Sequence, residues 1–140
     1  MLQVNFYEQV ADDLLKFAVI ITKSDGKWVF CKHRARSTWE IPGGHREQDE
    51  NIQDTAKREL YEETGATEFE IKPVCVYSVL KDGAETFGML YFAEVSKFEK
   101  ELHSEIEKVQ MFDVLPEHWT YPLIQPLLID EYNRRRKNND

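Results

Sequence analysis

The chain has 140 residues, 41% hydrophobic and 12% aromatic, and a formal net charge of −8. This length and composition predict one globular domain and exclude a largely disordered chain. The negative charge argues against a groove for DNA, because binding a phosphate backbone requires clustered Lys and Arg side chains. It is compatible with a site in which carboxylates hold divalent cations.

The cysteines and the apolar runs indicate the compartment. Cys31 and Cys75 lie far apart and show no metal-ligand spacing, so we expect two buried free thiols. The N-terminus lacks the basic and apolar segments of a secretory signal. The longest apolar run, residues 14–21, contains Lys16 and is too short to cross a membrane. We therefore expect a cytoplasmic protein that does not bind membranes.

Apolar and β-branched residues predict strands at 17–22 and 27–33, joined by a turn at 24–26, and further strands at 70–80, 87–95 and 106–112. Residues 1–16 precede the first of these strands and are interpreted as an N-terminal extension of a single domain that covers residues 1–140.

Two helices are predicted, one over residues 52–64 and one over residues 121–137 at the C-terminus. In the first, Ile52, Ala56 and Leu60 recur four residues apart and predict its buried face. Asn51 is a suitable N-cap for the first helix, and Gly65 is the expected left-handed residue at its end. Strands that alternate with two helices favour an α/β/α sandwich around a mixed β-sheet.

One stretch combines glycines, glutamates and an arginine at fixed spacing: Gly44-x5-Glu50-x7-Arg58-Glu59-Leu60-x-Glu62-Glu63-x-Gly65-Ala66. At about 100° per residue, its last three glutamates lie on one face of the predicted helix. Three like charges there destabilise an isolated helix. Bound Mg²⁺ would offset this repulsion because it prefers carboxylate oxygens. The alternative is a solvated acidic face, which by itself is the commoner reason for Glu-rich helices.

This stretch resembles the Nudix box, the signature of Mg²⁺-dependent hydrolases of diphosphate bonds. The resemblance implies the Nudix α/β/α sandwich, with the box as a loop-helix-loop, and Mg²⁺ as cofactor with Mn²⁺ as a substitute. It implies that Arg58 orients the carboxylates and that, in some members, the residue matching Glu59 is the general base. The metal ligands that it implies are Glu59, Glu62, Glu63, the backbone carbonyl of Gly43, and Glu50 directly or through water.

The resemblance also indicates residues outside the helix. Glu105 is the best match for one more glutamate that serves as ligand or base, and Glu101 and Glu107 are alternatives. Gly44 would supply backbone freedom in the substrate-binding loop, and Arg34 could contact phosphate oxygens. The four histidines show no ligand spacing, and we expect them at the surface: His33, His45, His103 and His118.

The implied reaction is the attack of water on phosphorus in a nucleoside triphosphate or a related diphosphate, as in MutT-like enzymes. The alternatives are a hydrolase of a nucleotide sugar or a capped RNA end, and a sensor that binds nucleotides without cleaving them. A sensor need not retain every metal-binding carboxylate.

The C-terminal region carries little information on substrate or assembly. Some MutT-like enzymes read a purine with an Asn near the start of the last helix, whereas residues 121–126 offer only Gln125. The absence of an Asn from residues 121–126 argues against a preference for oxidised guanine. The uncharged aromatic segment around Tyr121 is a hint of a homodimer.

Overall fold

The computed structural model describes residues 1–99 and 106–139. Within them, helix α1 covers Ile52–Thr64, helix α2 covers Gln125–Asn139, and a short 3-10 helix covers Asp12–Leu14. The strands are β1 (Leu2–Tyr7), β2 (Leu15–Ser24), β3 (Lys27–His33), β4 (Gly43–His45), β5 (Ala66–Lys81), β6 (Ala84–Phe98) and β7 (Ile106–Phe112). Neither α-helix has the length and apolar character needed to cross a membrane.

The strands form one mixed sheet in the order β1-β5-β6-β2-β3-β7. The central pair, β2 and β6, is parallel, and the other neighbours are antiparallel. One edge of β2 is shared, because its residues 22–24 pair with β3 while its residues 17–19 pair with β4. This sharing anchors β4, which contains Gly44 at the start of the box, beside the central strand of the sheet.

The two α-helices cover opposite faces of the sheet. Alternate residues of β2 point to opposite faces, so Ala18 and Ile20 pack with α1, while Val19 and Ile21 pack with α2. On the α1 side, the predicted core residues Ala56 and Leu60 are fully buried. The α2 side buries Leu128, Ile129 and Tyr132. This arrangement is the predicted α/β/α sandwich around a mixed sheet.

Helix α1 begins and ends where its local sequence predicts. The side chain of Asn51 accepts a hydrogen bond from the backbone N–H of Asp54 at 2.8 Å, which satisfies one of the first free donors of the helix. Gly65 ends the helix with φ of 79°, a conformation that glycine adopts without steric cost.

Helix α2 begins later than predicted, at Gln125 instead of residue 121. Residues 121–124 form a turn, in which the N–H of Gln125 donates to the carbonyl of Tyr121. Pro126 explains the difference, because a proline ring has no N–H and collides with the carbonyl four residues earlier in a helix interior. Proline fits the first turn of a helix, so α2 starts just before Pro126.

Strands β3 and β7 have the predicted bounds, whereas β2, β5 and β6 are longer than predicted, and the N-terminal segment contributes to the sheet. Residues 2–7, within the segment interpreted as an extension, form β1 and pair with β5 from Leu2 opposite Lys81 to Tyr7 opposite Val76. The alternation of Leu2, Val4 and Phe6 with polar residues is a strand signal that the interpretation as an extension did not use. Both cysteines are free and buried, as predicted.

Candidate active site

Arg58 is the hydrogen-bonding centre of the box. Its Nε donates to Oε2 of Glu50 at 2.8 Å, and its Nη2 donates to Oε1 of Glu50 at 3.1 Å. Its Nη1 donates to Oε1 of Glu59 at 2.6 Å and to Oε2 of Glu62 at 3.3 Å. Nη2 also donates to the carbonyl of His45 in β4 at 2.9 Å. One guanidinium therefore links three box carboxylates to the adjoining strand.

Glu50 is almost fully engaged by protein donors. Besides Arg58, its Oε1 accepts hydrogen bonds from the hydroxyl of Thr55 at 2.7 Å and from the N–H of Glu47 at 3.1 Å. These contacts, with the Arg58 bond first, lower the pKa of Glu50 to about 2. The geometry suits a carboxylate that holds Arg58 in place better than one that donates directly to a cation.

Glu59 lies under the glycine loop. A Cβ at Gly44 would lie 2.4 Å from Cδ and Oε2 of Glu59, so only glycine allows this approach. Burial raises the pKa of Glu59, and the charges of Glu62 and Glu50 raise it further, while Arg58 opposes the increase. The carboxylate of Glu59 therefore excludes a side chain at position 44.

Glu63 is the most buried carboxylate of the box, with a side chain that is 11% exposed. Its Oε1 accepts a hydrogen bond from the backbone N–H of Gly43 at 2.8 Å. Burial raises the pKa of Glu63 to about 8, and the charges of Glu59, Glu40 and Glu62 add to this effect. Gly43 thus contacts the box through its N–H, whereas the sequence assigned a role to its carbonyl.

Three side chains near Glu63 were not expected at the site. Nε2 of His33 lies 3.1 Å from Oε2 of Glu63 and 3.6 Å from Oε2 of Glu40. Sγ of Cys31 lies 4.0 Å from Oε1 of Glu63. The expectation of a surface position was wrong for His33, whose side chain is only 20% exposed. The sequence feature that could have indicated this is the spacing of Cys31 and His33, which are two residues apart in β3 and therefore lie on one face of the strand.

The box carboxylates fit a divalent cation. Glu59, Glu62 and Glu63 interact electrostatically with one another, and burial with mutual repulsion raises the pKa values of Glu59 and Glu63. Buried carboxylates with like-charged neighbours are stabilised in their charged form by a cation. Since all of these donors are carboxylate oxygens, they suit hard cations such as Mg²⁺.

A cleft of about 260 Å³ adjoins this cluster on the α2 side of the sheet. Its apolar wall consists of side chains from β2, β5 and the turn before α2: Phe17, Val19, Tyr77, Val79 and Ile124. Glu40, His45 and Gln125 add polar groups, and Gly43 and Gly44 line the end nearest the box. The cleft can therefore receive an apolar group beside Gly43 and Gly44.

Gln125 connects α2 to the segment before the box. Its Oε1 accepts a hydrogen bond from the backbone N–H of Ile41 at 2.8 Å, in a buried position. The same segment is held by Trp39, whose N–H donates to the carbonyl of His118 at 2.9 Å. The loop that leads into Gly43 is therefore fixed by the region before α2.

The remaining predicted residues lie elsewhere. Glu105 and its alternative Glu101 lie outside the described residues. Glu107, the other alternative, forms an ion pair with Lys32 at 2.5 Å. Arg34 is exposed in the turn after β3, and within the described residues it is not part of the cleft lining.

Comparison with known families and structures agrees with this geometry. The model of the NUDIX domain matches residues 14–122, most of the chain. The chain belongs to the Nudix family. Its members include hydrolases that cleave pyrophosphate bonds, and the relatives below place this Nudix protein among them. It is a hydrolase of phosphoric anhydride bonds.

Two Bacillus subtilis proteins are similar to this Nudix protein. A protein provisionally named 8-oxo-dGTP diphosphatase YtkD is 34% identical over 117 residues, which cover 83% of this chain and 73% of the relative. The crystal structure of the pyrophosphohydrolase BsRppH superimposes with a TM-score of 0.82 and 28% identity, covering 99% of this chain and 90% of that one. A Nudix hydrolase from Nitrosomonas europaea shares the fold, with a TM-score of 0.70, 20% identity, and coverage of 86% and 89%.

Proposed function

We propose that this Nudix protein hydrolyses a diphosphate bond in a nucleoside triphosphate or a related nucleoside diphosphate derivative, with Mg²⁺ as cofactor and Mn²⁺ as a possible substitute. The observation that supports the proposal is that the same two glycines adjoin both the carboxylate cluster and the apolar cleft. Gly43 and Gly44 contact or closely approach the carboxylates of Glu63 and Glu59, and they also line the apolar cleft. A polyphosphate at the carboxylates would place its nucleoside in the cleft.

The cation would be held by Glu59, Glu62 and Glu63, with the Gly43 carbonyl as a further proposed ligand. When bound, Mg²⁺ would neutralise the charge that develops on the phosphate groups. Arg58 would keep Glu59 and Glu62 in position through the hydrogen bonds already described. Glu50 would not contact the cation itself but would hold Arg58 in position.

The reaction is a substitution by water at phosphorus. The water oxygen forms a new bond to phosphorus, the bridging P–O bond breaks, and pyrophosphate or phosphate leaves with a shorter nucleotide. We assign the acceptance of the water proton to Glu59, because the matching residue is the general base in some members of the family. Glu105 is the alternative base, in a segment outside the described residues.

The residues that line the cleft are suited to a nucleoside, but they do not determine which base it carries. Tyr77 and Phe17 provide aromatic surface, and their rings lie with centroids 5.5 Å apart. Because the Gln125 oxygen accepts from Ile41, its amide nitrogen is the group left to donate to a substrate oxygen or nitrogen. Arg34 remains a candidate for phosphate contacts. The name of the relative YtkD makes 8-oxo-dGTP one compound to test.

The experiment is a panel of nucleoside triphosphates, 8-oxo-dGTP, nucleotide sugars and capped RNA ends. Chromatography of the nucleotide products detects cleavage of every substrate, and phosphate release with added pyrophosphatase gives the rate for the triphosphates. We expect turnover with Mg²⁺ and none with excess EDTA. Mass analysis of products formed in ¹⁸O-water identifies the phosphorus that is attacked. Tight nucleotide binding without turnover on any substrate would contradict the proposal and favour a sensor.

Two further proposals concern the state of the protein. We place it in the cytoplasm, in keeping with the two free thiols. We also propose a homodimer through the turn before α2 and the first turn of α2, where Tyr121, Leu123 and Leu127 are exposed. Light scattering after size-exclusion chromatography tests this, and a monomer at all concentrations contradicts it.

A further inference from the structure

Cys31, His33 and Glu63 bring a thiol, an imidazole and a carboxylate together behind the box helix. Sγ of Cys31 lies 4.0 Å from Oε1 of Glu63, and Nε2 of His33 lies 3.1 Å from Oε2 of Glu63. One donor atom from each residue lies within 4.8 Å of the other two. Two neighbouring positions on one face of β3 thus meet one residue of α1.

We propose that these three residues form a binding site for a borderline-soft divalent cation such as Zn²⁺, which shares Glu63 with the all-oxygen cluster of the box. Zinc bonds of about 2.3 Å to sulfur and about 2.0–2.2 Å to nitrogen and oxygen place tetrahedral ligand atoms roughly 3.3–3.6 Å apart. With one donor atom from each residue, the separations are at most 4.8 Å, so they need to shorten by no more than about 1.5 Å to meet that geometry.

The donor types select the cation. Thiolate and imidazole are preferred by Zn²⁺, whereas Mg²⁺ prefers oxygen ligands and retains water. The site is also ordered by packing, because Cys31 is fully buried and the side chains of His33 and Glu63 are largely so. Glu40, with Oε2 at 3.6 Å from Nε2 of His33, offers a fourth donor.

Binding replaces existing contacts of Cys31. The thiol now donates to the carbonyl of Glu40 at 3.5 Å. Coordination forms a bond between sulfur and the cation, and the thiol proton leaves to solvent, so zinc affinity increases with pH. The Gly43 N–H can stay with Glu63, because a carboxylate oxygen has two lone pairs.

Glu63 belongs to both sets of donors, and this couples zinc to activity. A cation held by Cys31 and His33 draws the Glu63 carboxylate away from Glu59 and Glu62. Zinc therefore inhibits the Mg²⁺-dependent reaction by competing for one shared ligand. This consequence rests on the proposed function, whereas the zinc site itself does not.

The test uses the full chain, free of metal, titrated with Co²⁺ and then with Zn²⁺ in excess Mg²⁺. Cobalt bound by a thiolate gives a sulfur-to-metal charge-transfer band in the near ultraviolet. We expect one Co²⁺ per chain with this band, and displacement of the band by Zn²⁺. Zinc affinity should fall at least about tenfold in Cys31→Ser and in His33→Asn, the scale of losses at metal sites.

Cys75→Ser is the matched control, because Cys75 is the other buried free cysteine and packs on the α2 side of the sheet. It should bind Zn²⁺ as the unmodified chain does. If Cys31→Ser does not fold, His33→Asn and the charge-transfer band decide. Cobalt binding without the band, unchanged zinc affinity in the folded variants, or an equal loss in Cys75→Ser overturns the proposal.

The activity assay separates the two proposals. We expect the zinc concentration for half inhibition to rise about tenfold or more in His33→Asn, in line with its loss of affinity. A charge-transfer band in a chain with no Mg²⁺-dependent turnover contradicts the proposed function and leaves the zinc site intact. Turnover in a chain without the band contradicts the zinc site alone.

Discussion

Arg58 holds both carboxylate oxygens of Glu50, with Nε to Oε2 at 2.8 Å and Nη2 to Oε1 at 3.1 Å. A two-point contact between charged groups fixes the plane of the guanidinium. The remaining donors of that plane reach Glu59 and Glu62, so the position of Glu50 determines where two proposed metal ligands are held.

Substitution Glu50→Gln tests this relationship. An amide can accept at one oxygen only, and its NH₂ group opposes a donor of Arg58. We expect Mg²⁺ affinity and kcat/KM to fall about 10–100-fold, and the free energy of unfolding to fall by about 1–3 kcal/mol. Glu47→Gln is the control, because Glu47 is exposed and lies 3.5 Å from Nε of Arg58. Equal Mg²⁺ affinity in Glu50→Gln and the unmodified chain would show that Glu50 has no such role.

Substitution of Gly44 by alanine should reduce activity, whereas the same substitution of Gly43 should reduce stability. In Gly44→Ala the new Cβ meets the side chain of Glu59, which can move, so we expect a large loss of kcat with a stable fold. In Gly43→Ala it would lie 2.5 Å from the backbone carbonyl of Ala18, which cannot move without disturbing the sheet. We expect the free energy of unfolding to fall by about 1–3 kcal/mol or more. Urea unfolding and steady-state kinetics on both variants distinguish these effects, and identical profiles would contradict the account.

The metal-free protein should lose stability as pH rises, because of Glu63. Its pKa is raised from 4.5 to about 8 in the folded state, so between these values the folded chain holds a proton that the unfolded chain has released. Stability therefore decreases from about pH 5 to pH 8, by up to a few kcal/mol for this group, and Mg²⁺ reverses the loss at pH 8.

Glu63→Gln isolates the contribution of Glu63. In EDTA, the variant should show a weaker pH dependence and should be more stable than the unmodified chain at pH 8. Glu62→Gln is the matched control, since the Glu62 side chain is 48% exposed. The measurement is urea unfolding at pH 5 and pH 8, and parallel pH curves for Glu63→Gln and the unmodified chain would rule out this origin of the effect.

Gln125→Leu tests the connection between α2 and the box loop. The substitution keeps the approximate volume but leaves the backbone N–H of Ile41 without its acceptor. We expect a loss of about 1–3 kcal/mol in the free energy of unfolding, together with a higher KM because Gln125 also lines the cleft. Asp130→Asn, at an exposed position of the same helix outside the proposed dimer surface, should change stability by no more than about 0.5 kcal/mol. Similar stability in both variants would show that the bond to Ile41 is unimportant.

The sequence predicted the features that depend on neighbours along the chain. The ends of α1 follow from Asn51 and Gly65, and its inward face follows from the four-residue spacing of Ala56 and Leu60. The contact of Arg58 with Glu62 fits the i, i+4 spacing on a helix, whereas the role of Arg58 in orienting the carboxylates came from the resemblance to the Nudix box. Local signals of this kind need no knowledge of tertiary packing.

The sequence could not predict contacts that depend on how distant elements pack. His33 and Cys31 reach Glu63 only because β3 lies against α1, about 30 positions away in the chain. The start of α2 is a different case, since Pro126 is a local signal that the prediction of a helix from residue 121 did not use.

The most direct test of the central claim compares Glu63→Gln with the unmodified chain in phosphate release from the best substrate of the panel, with Mg²⁺. Gln retains an oxygen for the N–H of Gly43 and removes the charge. The account predicts a folded variant whose turnover falls by a factor of 100 or more, on the scale of about 3 kcal/mol. A folded Glu63→Gln with unchanged Mg²⁺-dependent turnover would contradict it.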